Sequence, residues 1–288
     1  MTLRERVGRR LLLAVRQPGD RRGDSHGRCS VCGWEGRLVF NSWMLPRELR
    51  RDLGDKRLVA AFAARESLFC QGCGSSLRVR RLADVLLEHY AEGASTLAEL
   101  VAEPRFRALR IAEINSVGLI HSYLAPLPSL RYSEYRPDAP LGQEVDGVRN
   151  EDIGRLSYPD GELDLVLTSD TLEHVPDPVL ALAETRRVLR PGGRHIFTIP
   201  LVPSRERSAS RASVGADGAP HHHAPPQYHG RGSGPFALVS RKQDLLVYTD
   251  FALDVADELR DTGSILGGGS RNLPNRSSGR STALLGLG

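Results

Sequence analysis

The chain has 288 residues, 26% of them charged, and a formal net charge of +4, which is enough length for one sizeable core plus a small appendage. No apolar run approaches the about 20 residues of a membrane span, and Leu11–Val15 is too short for a signal-peptide core, so no membrane partner and a cytoplasmic location are expected. The basic charge belongs to the ends: residues 1–28 carry eight Arg against three acids and residues 262–288 carry three Arg and none.

Glu5, Asp20 and Asp24 argue against an organelle transit peptide at the Arg-rich start. Residues 1–28 read as a basic, flexible tail with one short amphipathic possibility, Leu3–Val15. Solvated tails of this kind offer nucleic acid only a secondary role as a partner. Next come all four cysteines, in two C-x-x-C-G knuckles, Cys29-Ser-Val-Cys32-Gly33 and Cys70-Gln-Gly-Cys73-Gly74. A two-residue spacer lets both thiolates reach one ion at about 2.3 Å, and the following Gly permits the left-handed turn. A closed structural Zn2+ site on Cys29, Cys32, Cys70 and Cys73 is the expectation. The alternatives are two disulfides, out of keeping with a cytoplasmic chain, or a redox dithiol, which needs only one knuckle.

Between the knuckles, Trp34, Leu38, Val39, Phe40 and Trp43 suit a small strand pair, and Pro46–Arg65 has helical composition. Leu77–Ala102 reads as helical, with Leu82, Val85, Leu86 and Tyr90 on one face. The expected organisation is a zinc-ribbon-like module at 29–80, a bridging helix at 81–106, a larger domain at 107–262 and a disordered tail at 263–288. Within the larger domain strands and helices alternate: Leu109–Ile114 strand, Val117–Leu124 helix, Arg131–Glu134 strand, Gly147–Asp152 before a turn. Asp164–Pro200 is the most regular stretch. It reads as a strand from Asp164, a loop, a helix begun by Asp177-Pro178, a stop at Pro191-Gly192-Gly193, and a strand at His195–Ile199. Apolar Val179, Leu180, Leu182, Ala183, Val188 and Leu189 recur along the helix at roughly helical spacing. That is a parallel βαβ unit, whose ligand-facing loops lie at the strands' carboxyl ends. Beyond Pro200 the chain is rich in Ser, Arg, Gly, Pro and His to about Pro235. Leu245–Tyr248 then suits a strand and Phe251–Leu259 a helix.

The run Tyr158-Pro-Asp-Gly-Glu-Leu-Asp164-Leu-Val-Leu-Thr-Ser-Asp170-Thr-Leu-Glu173-His174-Val-Pro-Asp177, with Leu189-Arg-Pro-Gly-Gly193 after it, resembles the fourth- and fifth-strand motifs of class I S-adenosylmethionine-dependent methyltransferases of the small-molecule type. The resemblance covers residues ~107–262. It implies an α/β, doubly wound, mostly parallel Rossmann-like sheet, S-adenosylmethionine as cofactor, and methyl transfer to a small-molecule or sugar-like acceptor. By the same resemblance Glu113 takes the acidic place ending the first strand, Glu134 the ribose-binding place, Asp152 the place that contacts the adenine amino group, with Ile153 beside the ring, and Asp170 lies near the sulfonium. Asn115 and Val117 stand where loop glycines are usual, and Gly118 falls one place before the third; Asn tolerates left-handed geometry and Val does not. His174 and the His229 of Tyr228-His229-Gly230 are the candidate catalytic side chains, since imidazole can take a proton from an acceptor near neutral pH. His174, with Glu173, can equally cap the following helix. His221-His222-His223 reads as solvated loop rather than a metal site. Methyl transfer depends chiefly on in-line alignment, so no nucleophile need appear. Two rivals stand beside this reading: a non-catalytic binding protein with a degenerate cofactor loop, and a zinc-ribbon nucleic-acid methyltransferase. The family's last β-hairpin should follow Leu259, yet Gly267–Arg280 has almost no strand character, which predicts an exposed sheet edge.

Overall fold

The structure is a computed structural model that describes residues 24–41, 64–202, 205–229, 245–252, 254–255, 265–266 and 282–285. The expected Leu3–Val15 segment, Trp43, nearly all of the Pro46–Arg65 helix, Gly230, most of the Phe251–Leu259 helix and most of the 263–288 tail lie outside them. Chain contacts divide the molecule into two compact units, one of residues 1–103 with 228–245 and 286–288, the other of residues 104–227 and 246–285.

In the first unit, β1 (Ser25–Arg28), β2 (Glu35–Phe40) and β3 (Leu68–Cys70) form an antiparallel sheet in that order. The first knuckle sits at the β1–β2 turn and the second begins at Cys70, the last residue of β3. Helix α1 (Leu77–Tyr90) starts at Ser76, whose hydroxyl accepts from the Val79 amide. It buries Val79, Leu82, Ala83, Val85 and Leu86 and also, unexpectedly for a charged residue, Arg80. Helix α2 (Leu97–Leu100) opens with a Thr96/Glu99 capping box. Its first amides, Leu97 and Ala98, donate to the Ser30 and Val31 carbonyls of the first knuckle at 2.7 and 3.1 Å. This satisfies donors that a helix start otherwise leaves orphaned. Residues 81–103 therefore group with the cysteines, and the contact boundary falls between Glu103 and Pro104.

The second unit begins with the short helix α3 (Pro104–Arg107). It contains β4 (Ile111–Ile114), helix α4 (Leu119–Leu124), β5 (Leu130–Glu134), β6 (Glu144–Val145), β7 (Val148–Asn150), β8 (Leu163–Ser169), helix α5 (Pro178–Val188) and β9 (Leu189–Ile199). In space the strands run β9–β8–β4–β5–β7, all parallel, with β6 antiparallel on the outer edge. The order reverses at β4, so the crevice opens beyond the carboxyl ends of β4 and β8. This is the Rossmann-like, mostly parallel α/β fold. β8 is buried along nearly its whole length, as a strand covered on both faces should be. Its core cluster joins Ala112, Ile114, Ile153, Tyr158, Leu163, Val166, Leu172 and Phe197.

Three expectations need correction. The Pro191-Gly192-Gly193 stop lies within β9: pairing jumps from Leu163–Leu189 to Leu165–Arg194, so Arg190–Gly193 bulge out opposite Asp164. Gly192 has a φ of 82° there, which glycine adopts without strain. Helix α5 buries Ala181, Thr185 and Val188 and leaves Val179 and Leu180 exposed. The i, i+4, i+7 stripe, rather than total apolarity, selects its inner face. Finally, the β9 edge is covered: β17 (Thr282–Leu285) pairs in parallel with Ile196–Ile199, and β16 (Ile265–Leu266) pairs in parallel with β17. Two short parallel strands thus cover the edge of β9 that was expected to lie exposed. The Ser/Arg/Gly-rich stretch after Pro200 also carries structure. β10 (Ala209–Ser210) pairs with β15 (Thr249–Asp250), and β11 (Ala212–Val214) with β12 (Pro220–His222). Tyr228–His229 and Leu245–Leu246 are the short strands β13 and β14.

Candidate active site and metal centre

The four cysteine sulfurs lie within 4.8 Å of one another. Cys29 Sγ is 3.8 Å from Cys73 Sγ, and Cys32 Sγ is 3.8 Å from Cys70 Sγ. A tetrahedron with metal–sulfur bonds of about 2.3 Å has edges of about 3.8 Å, so the thiol set fits a four-coordinate zinc ion. The knuckles are closed alike: the Gly33 amide donates to Cys29 O and the Gly74 amide to Cys70 O, both at 2.8 Å, with φ of 77° and 83° at the two glycines. Ser75 Oγ stands 3.4 Å from Cys29 Sγ and 3.1 Å from Cys73 Sγ. Hydrogen bonds from Cys70 and Cys73 push Cys29 toward the thiolate, and burial pushes Cys32 up to about 11.

In the second unit the cofactor-side candidates come together at the carboxyl ends of β4, β5, β7 and β8. Glu113, fully buried at the end of β4, accepts from the Val117 amide at 2.9 Å, and its other oxygen lies 2.7 Å from His121 Nδ1. Both oxygens are thus spent on holding the loop. Asn115 takes a φ of 56°, the left-handed conformation that a glycine would supply. Val117 turns its side chain into the core, and Gly118 sits at φ 70° and ψ −132°, a backbone open to glycine only. The two departures from glycine are therefore absorbed by the fold.

Glu134 ends β5 half-buried, with one oxygen accepting from the Tyr132 hydroxyl. Its other oxygen has no protein partner among the described residues. Burial and that bond hold the Tyr132 phenol well above its ordinary range. The Tyr132 and His121 rings lie 4.5 Å apart, so a chain of contacts runs from Glu113 to Glu134. Composition gave no signal for His121 or Tyr132 as supporting residues; only the pairing of β4 with β5 and the first turn of α4 bring them in. Asp152 accepts from the Gly154 amide at 2.8 Å, and Ile153 packs into the core cluster. Asp170, at φ 49°, follows β8. Its amide donates to Thr198 O at 2.9 Å and its carboxylate accepts from Thr198 Oγ1 at 2.8 Å.

Of the two candidate histidines, only the His174 side chain falls among the described residues. His174 Nδ1 is 2.9 Å from Leu246 O. A carbonyl can only accept, so this nitrogen carries the hydrogen. Nε2 faces the buried Glu173 carboxylate at 3.5 Å, a contact that is favourable only with one proton between them. His174 is thus held in one orientation between a strand carbonyl and a carboxylate, consistent with bracing as much as with proton transfer. His229 lies in β13, and its side chain is outside the description. His221 and His222 are exposed on the β11–β12 hairpin, and His223 Nε2 is 3.0 Å from Ser213 Oγ. Among the described residues the cysteines form the one cluster suited to hold a metal.

Residues 133–197 match the family model of a methyltransferase domain. The chain is 53% identical over 49 residues to an uncharacterized 37.1 kDa protein in transposon TN4556 of Streptomyces fradiae, covering 17% of this chain and 14% of that protein. It is 50% identical over 58 residues to a sarcosine/dimethylglycine N-methyltransferase of Halorhodospira halochloris, covering 20% of each. An S-adenosylmethionine-dependent methyltransferase structure from Mesorhizobium loti aligns with 58% of this chain and 80% of its own at 17% identity and a TM-score of 0.32. The matched stretches span at most a fifth of these curated relatives' length. No described helix is long and apolar enough to cross a membrane.

Proposed function

We propose that this protein is an S-adenosylmethionine-dependent methyltransferase acting on a small-molecule acceptor, with a structural zinc ion on Cys29, Cys32, Cys70 and Cys73. The observation that carries the reading is the rim of the parallel sheet. There a left-handed Asn115–Gly118 turn, the carboxylate of Glu134 and that of Asp152 follow on the carboxyl ends of β4, β5 and β7. The methyltransferase-domain match over residues 133–197 covers the rest of that rim. S-adenosylmethionine, when bound, supplies a methyl group on a positively charged sulfur.

The chain's own residues would do the positioning. Asn115 and Gly118 let backbone approach the cofactor. Glu134 has a carboxylate oxygen to accept from ribose hydroxyls, and Asp152 would accept from the adenine amino group. Asp170, fixed by Thr198, supplies a negative charge that complements a cation nearby. Alignment then does most of the catalytic work. The Halorhodospira relative is a sarcosine/dimethylglycine N-methyltransferase, which makes amines the first acceptors to try, ahead of sugar hydroxyls.

Calorimetry of the full chain with S-adenosylmethionine and its demethylated product tests this. Binding is expected to both, weakened on the order of 10-fold or more in Glu134→Ala, which removes charge-assisted hydrogen bonds. Folded protein that takes up neither ligand at millimolar concentration would sink the enzyme reading.

A further inference from the structure

Arg80 sits on the inner face of α1, only 4% exposed. Among the described residues no carboxylate forms an ion pair with it; Asp84, one turn along the helix, pairs with Arg81 at 3.2 Å and acts on the Arg80 guanidinium only through its charge, less than the three cysteines do. Its Nη1 donates to Leu68 O and Ser75 O, each at 3.3 Å, and its own carbonyl accepts from Ser30 Oγ at 3.0 Å. Leu68 and Ser75 bracket the second knuckle and Ser30 lies in the first, so Arg80 is tied to both. The guanidinium interacts electrostatically with Cys29, Cys70 and Cys73, and among the described residues Nη2 is buried with no acceptor.

A buried guanidinium is costly unless an anion accompanies it. Four neutral thiols offer none, whereas four thiolates around a divalent ion carry a net charge of about −2. We infer that Arg80 is the built-in countercharge of the cysteine metal centre. Ser75 supplies a hydroxyl to the same set. Arg80 is a positioning residue: it ligates nothing, but its positive charge beside the sulfurs offsets the negative charge of the thiolates, lowers their nucleophilicity and slows their loss of metal. Partners just outside a metal's ligands commonly tune it in this way. The inference rests on the zinc reading and deepens it.

The test uses the full-length chain loaded with zinc or cobalt(II), comparing wild type with Arg80→Lys and Arg80→Met. Metal transfer to a chromophoric chelator, alkylation of the bound thiolates by iodoacetamide and the sulfur-to-cobalt charge-transfer band are followed together. Arg80→Met is expected to weaken metal binding about 10–100-fold, to speed alkylation and to move the cobalt band, with Arg80→Lys restoring part of each. If Arg80→Met fails to fold, Arg80→Lys alone must still shift the band and speed alkylation, because an ammonium does not reproduce the planar fork. Variants that lose thermal stability yet keep wild-type alkylation rates and cobalt spectra would reduce Arg80 to a tie between carbonyls and overturn the inference. A wild-type chain that binds no metal would instead overturn the zinc reading beneath it.

Discussion

His195 lies wholly inside the sheet, with Nε2 3.0 Å from Thr168 Oγ1 and its ring 4.6 Å from that of Phe197. Burial alone lowers its pKa to about 3, against an ordinary value near 6.5. The native chain therefore keeps it neutral where the unfolded chain protonates it. The stability tied to that neutrality is complete above about pH 6.5 and drains as the pH falls toward 3. Urea unfolding at pH 7.5 and pH 5 should show wild type losing about 2 kcal/mol from this group. His195→Leu should be less stable by about 1–2 kcal/mol at pH 7.5, because it strands the Thr168 hydroxyl, yet should change less between the two pH values. Equal pH slopes for both proteins would refute the assignment. Asp164 does not confuse the window. Burial raises its pKa, but the Arg110 side chain and amide and the Arg190 guanidinium outweigh that and hold it at about 2. Its own contribution is lost only as the pH falls from about 4 toward 2.

At the scale of elements, the turn from β4 into α4 is the sensitive one. Asn115 holds a φ of 56°, which costs a β-branched residue about 1–2 kcal/mol and costs glycine nothing in strain. Asn115→Gly should leave the melting temperature and product affinity near wild type. Asn115→Val should lower both, and a Val variant that binds the demethylated product as wild type does would remove the turn from the cofactor's determinants. This turn also marks how far the sequence could be read. Acidic strand ends, the βαβ unit and the cysteine knuckles were legible because each is a local pattern with its own period or spacing. That Val117 points inward while its amide serves Glu113 was not, because the same residue sends side chain and backbone to different tasks. The buried polar partners were hidden for a related reason. The Arg110 guanidinium finds Asp164 at 2.9 Å from 54 positions away, and Arg80 falls on an apolar helix face where the pattern has no slot for a charge. β16 and β17 leave no mark in the sequence because short strands in a Gly/Ser-rich tail carry no alternation of their own; the edge of β9 supplies the pairing.

The molecule as a whole holds two units with unlike sources of stability. The second builds a continuous core around β8, where Leu163, Leu165, Val166 and Leu167 are all buried to the last percent. The first has a three-stranded sheet with strands of four, six and three residues. Its four sulfurs lie within 4.8 Å of one another, and on the zinc reading metal binding would supply folding free energy there outright. The two should therefore respond differently to loss of metal. Treating the full chain with a strong zinc chelator, or replacing Cys73 by Ser, should take bound zinc from about one per chain to near none. Amide exchange should then accelerate across β1, β2, β3 and the knuckles while β4 and β8 keep their protection. Zinc content that stays near one per chain in Cys73→Ser would rule out four-thiolate coordination. Protection lost equally from β4 and β8 would mean that the metal supports the sheet unit as well, and that the proposed cofactor rim on β4, β5 and β7 depends on a centre to which it contributes no ligand.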